Sequence, residues 1–454
     1  MKLWPWVCFG LAACAPAPPT QPNIVVIVMD TVRQDHLSCY GYERETTPFL
    51  TELGAQSTVY DSAHSTSGWT SPAHASLFTG LFPIAHQTTQ ENWSLSQQRV
   101  TLAETLSAAG YETVGIAENP MLSKRNGFDQ GFATYHEVWR EEGPGGERVV
   151  KHFHEALTER DRSKPLFTFV NLMGAHSPYR APKEFSMPFV RDKSIRLHSN
   201  LWREYFLGEA EFVDEELQHL RDLYDGEVLY TDSLVRRLAD ELKSVGLWDN
   251  TVFVVTSDHG ENIGDHELMD HVFSLYESTT SIPLIIHDPQ HFEAGRRETN
   301  SVQLTDLFST LVERAGVESV PESQGCCLLQ AIEERPVLCE YYYPRQALLA
   351  IGDKSEQASK LDRFRRRLKS IQVGPLKLIW ASDGKHELYD LSLDPGEEMN
   401  LVELTGYQTQ LTELEQRLHR ELERFADTPL QADTFEPDPD SETRRALREI
   451  GYSK

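Results

Sequence analysis

Asn23-Ile24-Val25-Val26-Ile27-Val28-Met29-Asp30 is the stretch that decides the fold. Unbroken apolar residues, most of them β-branched, lead straight into a carboxylate. A strand with one wet face alternates polar and apolar residues, whereas an uninterrupted run fits a strand covered on both faces. The same texture returns at Leu166-Phe167-Thr168-Phe169-Val170-Asn171, at Thr251-Val252-Phe253-Val254-Val255-Thr256 and at Pro283-Leu284-Ile285-Ile286. Helical patterns lie between these runs. One is Thr101 to Ala109, and a longer one is Glu215 to Val245, with Leu223, Val228, Leu229, Leu234, Leu238 and Leu242 at helical spacing. Buried strands alternating with helices predict an α/β domain with a large, mostly parallel sheet flanked by helices. In such sheets polar sites collect beyond the carboxyl ends of the strands. Asp30 directly follows one strand, and Asp258-His259 follows another.

Downstream the texture changes. Asp353 to Lys369 is heavily charged, and Leu376-Lys377-Leu378-Ile379-Trp380 then alternates like a strand with one wet face. An Asp383-Gly384 turn signal separates it from Glu387-Leu388-Tyr389-Asp390-Leu391, and Leu411 to Phe425 is an amphipathic helix. The expectation is a smaller C-terminal antiparallel sheet with a helix. The domain plan is therefore a leader at residues 1–13, a spacer at 14–22, a catalytic α/β domain at 23–345, a smaller α+β subdomain at 346–430, and a loosely ordered acidic tail at 431–454. A chain of 454 residues is long for one core, which agrees with that division. The charged segment Lys183 to Leu220 has no place in this plan.

The formal net charge of −27 disfavours nucleic acid and anionic surfaces as partners. An anion site on this chain has to make its own positive field, and a metal ion is the obvious source. At the start, Lys2 precedes an apolar run, Leu3 to Ala13, too short to span a hydrocarbon layer of about 30 Å but suited to an export signal. Its end, Leu11-Ala12-Ala13-Cys14, resembles the lipobox of bacterial lipoproteins, which implies a diacylated Cys14 and a protein tethered in the cell envelope, facing the periplasm or outside. Secretion without a lipid fits the same leader. Cys326, Cys327 and Cys339 lie close together, and an oxidising compartment permits a disulfide from Cys339 to one of the pair.

Hydrolysis of a charged ester needs a hard cation, a nucleophile beside it, and donors for the non-bridging and leaving oxygens. Asp30 and Asp258-His259 offer oxygen and nitrogen ligands from two strand ends. The sequence around them resembles the sulfatase family of the alkaline-phosphatase superfamily. Pro22-Asn23-Ile24 running to Asp30-Thr31-Val32-Arg33, then Cys39-Tyr40-Gly41-Tyr42, is similar to its N-terminal signature. Thr70-Ser71-Pro72-Ala73-His74-Ala75-Ser76-Leu77-Phe78-Thr79-Gly80 matches its nucleophile segment. Ala175-His176-Ser177-Pro178-Tyr179, Thr256-Ser257-Asp258-His259-Gly260-Glu261 with His271, and Leu388-Tyr389-Asp390-Leu391 with Asp394-Pro395-Gly396-Glu397 follow in order. The resemblance implies that Asp30, Asp258 and His259 bind one divalent cation (calcium, magnesium, manganese or zinc). It places Thr70 at the nucleophile position, and His176 and His271 where side chains touch the anion or protonate the leaving oxygen. His74 stands four residues after the nucleophile, and Asn92 is a further candidate for anion contact. The substrate implied is a small, glycan or lipid-type anionic ester.

Four positions depart from the family pattern in ways that bear on the chemistry. Thr31 stands where many members have a second Asp, His74 where Arg is common, and Glu118-Asn119 where a lysine is usual. Thr70 replaces the Cys or Ser that is converted to formylglycine, so no formylglycine is expected here. A sulfated formylglycine hydrate expels sulfate by regenerating its aldehyde, and a sulfated threonine lacks that exit. A phosphothreonine is open to in-line attack by water. The expectation is therefore a metal-dependent hydrolase of sulfate or phosphate and phosphonate esters, inclined towards phosphorus. A phosphoryl-group transferase acting on an envelope component, or an inactive sulfatase-like binding protein, are the alternatives.

Overall fold

A computed structural model describes residues 21–192, 194–195, 201–317, 322–352, 357–426 and 441–449. The leader, Cys14 and the first part of the expected tail lie outside these residues.

The strands of the large sheet are β1 (Asn23–Met29), β2 (Thr58–Tyr60), β3 (Glu112–Ala117), β4 (Thr134–Glu137), β5 (Leu166–Leu172), β6 (Thr251–Thr256), β7 (Leu284–His287) and β8 (Arg297–Glu298). They form one 8-stranded sheet in the order β8-β2-β7-β6-β1-β5-β3-β4. From β6 to β4 all neighbours are parallel, with Ile24 opposite both Phe167 and Val252. β7 runs against β6 and against β2, so the Pro283–Ile286 run supplies the reversed strand of a mixed sheet. β6 reaches the antiparallel β7 through the loops that carry His259 and His271.

The apolar run of β1 has a simple physical reason. Val25, Ile27 and Met29 join one core with α1 (Pro48–Gly54), α4 (Gly145–Thr158) and α5 (Asp214–Ser244). Ile24, Val26 and Val28 join a second core with α2 (Thr70–Thr79), α3 (Leu102–Ala108) and α6 (Leu304–Arg314). Each face of the sheet is thus covered by helices, and no position along β1 faces water. Asp232 of α5 reaches across to cap α1, accepting the Phe49 and Leu50 amides at 2.9 Å each.

The small sheet is antiparallel: β9 (Val337–Tyr341), β10 (Leu368–Val373), β11 (Leu376–Ala381) and β12 (Glu387–Asp390), in that order. Its first strand lies upstream of residue 345, so the expected boundary corrects to before Val337. The charged stretch had masked this, because Val337-Leu338-Cys339-Glu340-Tyr341 has the texture of the larger core. Leu338, Ile371, Leu378 and Leu388 face α7 (Gln408–Phe425) through Leu414, Leu418 and Leu422. The opposite face, with Cys339, Tyr341, Ile379 and Tyr389, belongs to the core of the large domain. The tail is corrected too: Ser441–Glu449 is helical, Leu447 is buried, and Arg140 pairs with Glu442 at 3.0 Å. No disulfide joins the described cysteines; Cys39, Cys326, Cys327 and Cys339 are free, and Cys339 Sγ–H donates to Ser65 O.

Candidate active site

Asp30 leaves β1 at its carboxyl end and is fully buried. Its Oδ2 accepts from Asn119 Nδ2 at 2.8 Å and from Asn171 Nδ2 at 3.0 Å. Asn171 belongs to β5, and Asn119 follows β3, so three adjacent strands fix one carboxylate. In the sequence Asn171 is the end of an ordinary strand run, and Asn119 is a departure from the family pattern with no role of its own. The next residue, Thr31, has φ 58, a left-handed conformation that β-branched residues avoid. In that conformation its N–H donates to Asp258 Oδ1 at 3.2 Å, and its carbonyl accepts the Tyr224 hydroxyl at 2.7 Å. Thr31 thus ties the two acidic residues together through its backbone.

Asp258 and His259 follow β6 and are also buried. Asp258 Oδ1 takes the amides of Thr31 and His259, leaving Oδ2 directed at the histidines, 3.2 Å from His259 Nε2 and 3.5 Å from His74 Nδ1. His259 Nδ1–H donates to Gly260 O at 3.0 Å, so its Nε2 carries the lone pair. That orientation of one ring nitrogen by a carbonyl is what a metal-binding imidazole needs. Burial first, and the charge of His271 second, hold its protonated form well below the usual range.

Thr70 heads α2, whose residues are all buried, and its Oγ1 lies 3.3 Å from His259 Nε2. A helix N-terminus offers unpaired amides and the positive end of the dipole to an anion. His74, one turn along, donates from Nδ1 to Thr70 O at 2.9 Å and packs edge-on against Phe169. It lies beneath Thr70 and against Asp258.

His176 and His271 close the other side, their ring centroids 5.1 Å apart, with His271 4.5 Å from the His259 ring. His176 Nδ1–H donates to Ser177 O at 2.6 Å. His271 Nδ1 lies 2.7 Å from Asp270 Oδ1 and 3.5 Å from Glu261 Oε1; Glu261 ends the Asp258-His259 motif and Asp270 directly precedes His271, yet neither carries a role in the sequence pattern. Burial opposes charge on His271, but Asp270 and then Glu261 outweigh it and raise the ring well above its usual pKa. Burial and then the charge of His271 lower His176. One histidine is set to be cationic and its neighbours neutral, the divergence that separates acid from ligand roles.

The structure brings together Asp30, Thr70, His74, His176, Asp258, His259 and His271. Asn92 stands apart: it is exposed, its Nδ2 donates to Gln87 O and its Oδ1 accepts from Ser94 N, so it shapes its own turn.

The donor set fits a divalent cation. Asp30 Oδ1 and Asp258 Oδ2 are buried oxygens with no hydrogen-bond donor, which is costly unless a cation meets them. Donor atoms of Asp30, Asp258 and His259 lie within 4.8 Å of one another. Two carboxylates with one imidazole suit calcium, magnesium, manganese or zinc.

A family model described as Sulfatase matches residues 22–317, and a second, described as N-sulphoglucosamine sulphohydrolase, C-terminal, matches residues 264–426. An arylsulfatase of Clostridium perfringens is 24% identical, covering 89% of this chain and 95% of its own. Among solved structures, BT4656 in complex with its substrate D-glucosamine-2-N,6-O-disulfate superposes with a TM-score of 0.75 at 21% identity, covering 90% of this chain and 99% of that one. The phosphonate monoester hydrolase of Agrobacterium radiobacter gives 0.74 at 21% identity, covering 90% and 97%.

Proposed function

The chain belongs to the sulfatase family, and on that premise we propose that it hydrolyses anionic esters of carbohydrates with Thr70 as nucleophile, favouring phosphate or phosphonate esters over sulfates. One observation carries the reading: Thr70 Oγ1, at the first turn of a buried helix, lies 3.3 Å from His259 Nε2 and shares its surroundings with the donor-free oxygens of Asp30 and Asp258.

Asp30, Asp258 and His259 would hold one divalent cation, which supplies Lewis-acid polarisation of the bound ester. The chain's own groups account for the rest. Thr70 Oγ1 attacks phosphorus as its proton passes to a non-bridging oxygen of the ester, aided by the amide end of α2, which favours the negative charge gathered on those oxygens. His271, kept cationic by Asp270 and Glu261, donates a proton to the departing oxygen. His176, anchored through Ser177 O, borders the same space and orients the anion. Water then attacks the phosphothreonine, passing its proton to His271, and Thr70 leaves as its hydroxyl with the proton held on the phosphoryl oxygen. A sulfothreonine has no comparable exit, which is why phosphorus is preferred.

A carbohydrate substrate is supported by the glucosamine disulfate bound to one structural relative and by the sulphoglucosamine sulphohydrolase model over the C-terminal region. The structure adds a cleft where Phe273, Ser274 and Tyr276, just past His271, meet Arg363, Arg366 and Lys385 beside the small sheet. Glu387 lines the same cleft and pairs with Arg366 at 3.3 Å, so Arg363 and Lys385 are the cations there that suit the further anionic groups of a glycan.

The test is turnover of an aryl sulfate, a phosphate monoester and a phosphonate monoester by the purified protein, with mass analysis of the Thr70 peptide after rapid acid quench. We expect the phosphorus esters to turn over and Thr70 to carry phosphate. Turnover of the sulfate alone overturns the phosphorus preference, and an unmodified Thr70 during steady turnover overturns its role. The lipid anchor at Cys14 and an envelope location complete the proposal; palmitate label entering wild-type protein but not Cys14→Ala is the expected result.

A further inference from the structure

Strand β5 ends at Leu172, and the loop beyond it carries His176 into the active site. The imidazole rides on the main chain of that loop. The His176 amide donates to Met173 O at 3.1 Å, and Nδ1–H donates to Ser177 O at 2.6 Å. Both flanks of the loop are held by carboxyl groups. Ahead of His176 the Met173 amide donates to Glu118 Oε2 at 3.0 Å, from just past the end of β3. Beyond it the Arg180 and Ala181 amides both donate to Glu227 Oε1. Glu227 lies on α5 with only 3% of its surface exposed, and among the described residues no cation is paired with it.

The same face of α5 reaches the other side of the site. Tyr224, one turn before Glu227, donates its hydroxyl to Thr31 O at 2.7 Å and so supports the residue that links Asp30 to Asp258. Thr231, one turn after, stands so close to Gly174 that a Cβ added there would lie 2.3 Å from its Oγ1. Tyr224, Glu227 and Thr231 follow helical spacing, so one stripe of a single helix meets both the cation side and the His176 side. We propose that Glu227 is a positioning residue for His176, its grip on the two amides setting how far that imidazole stands from the cation ligands. This rests on His176 orienting the bound anion.

Loop amides at a surface are commonly left to water, and Arg180 is exposed. A carboxyl buried there without a cation costs stability, a cost out of place in a loop whose position is indifferent. Burial pushes Glu227 up to about 8, against the pull of the two amides. At neutral pH it is therefore mostly the uncharged acid, and the amides need only its carbonyl oxygen. Glutamine keeps that oxygen at the same reach, whereas methionine fills the space without it.

The experiment reads the metal-loaded full-length protein in two ways. Ring-labelled histidine gives a Cε1–H resonance for His176, assigned by its loss in His176→Ala, and this needs no turnover. Glu227→Met should shift that resonance, and Glu227→Gln should leave it in place. In steady-state turnover of a phosphate monoester, Glu227→Met should raise KM roughly 10- to 100-fold with a smaller change in kcat, and Glu227→Gln should restore it. Combined with His176→Ala, Glu227→Met should add less than about twofold, because its effect runs through that ring. Thermal unfolding that matches the parent excludes a general loss of fold; where Glu227→Met melts early, Glu227→Asp, one methylene shorter, takes its place. An unmoved His176 resonance overturns the proposal, as does a KM effect that persists in full without His176. If His176→Ala itself leaves KM unaltered, the role given to His176 falls, and the resonance alone decides for or against Glu227.

Discussion

Asn119 and Asn171 decide which oxygen of Asp30 is left for a cation. By occupying Oδ2 they leave Oδ1 bare and fix the carboxylate's rotation. Asn171→Ala should therefore weaken metal binding 10–100-fold with modest change in fold stability, measured as the metal concentration that restores half activity to stripped protein. Thr70→Ala should lower kcat by at least about 10³-fold, and Thr70→Ser should retain most of it, since only the hydroxyl is required. At this scale the motif-bearing residues were the legible ones: Asp30, Thr70, Asp258, His259 and His271 lie close together in the structure. The sequence did not disclose the asparagines, because an amide in or after a strand reads as ordinary text until the neighbouring strands are laid side by side. Asn92 misled for the converse reason. Its motif-like setting, Glu91-Asn92-Trp93, is a turn that uses both ends of the amide locally.

Helix α2 carries Thr70, and it is held from below as well as from its end. Ser76 Oγ receives Thr66 Oγ1–H at 2.7 Å and His86 Nε2–H at 3.0 Å, while His86 Nδ1 accepts the Thr88 amide at 3.0 Å. Burial, and then the Arg99 guanidinium, push His86 from 6.5 down to about 3. Below pH 6.5 the unfolded chain takes up a proton that folded His86 refuses until about pH 3, so the stability it confers is complete above 6.5 and falls as the pH drops. The slope is about 1.4 kcal/mol per pH unit across that window. Urea unfolding at pH 7 and pH 5 should show a smaller acid loss in His86→Gln than in the parent. The strands were legible because both faces of the sheet are covered, which writes itself as unbroken apolar runs. The reversal of β7 was not, since an apolar run has no direction; β2 and β8 are too short to leave a pattern at all.

The two sheets are joined through a buried charge cluster. Lys377 of β11, 3% exposed, reaches Glu277 at 2.6 Å and Glu397 at 2.9 Å, and Glu397 also accepts the Glu277 amide at 2.6 Å. Burial disfavours the ammonium, but the two carboxylates outweigh it and raise its pKa. Lys377→Met should cost roughly 3–5 kcal/mol, read from denaturant midpoints, because two carboxylates are left buried without a cation. Replacing all three by Met, Gln and Gln should recover most of that loss. Lys377 sat in view as one polar residue of an alternating strand, and its wet face proved to be an interior one. The same contact explains why the boundary between the domains was misplaced. Both faces of the small sheet are buried, so its first strand is indistinguishable from those of the larger core.

β1 is the earliest strand of the described chain and also the middle of the large sheet, with partners that begin at Leu166 and Thr251. During synthesis it emerges long before either neighbour exists. Non-local pairing of this kind is slow and leaves bare edges in the interim. Both edges of β1 can be paired only once the chain has been made to Thr256, more than half its length, so until then Ile24 to Met29 is a segment open to aggregation.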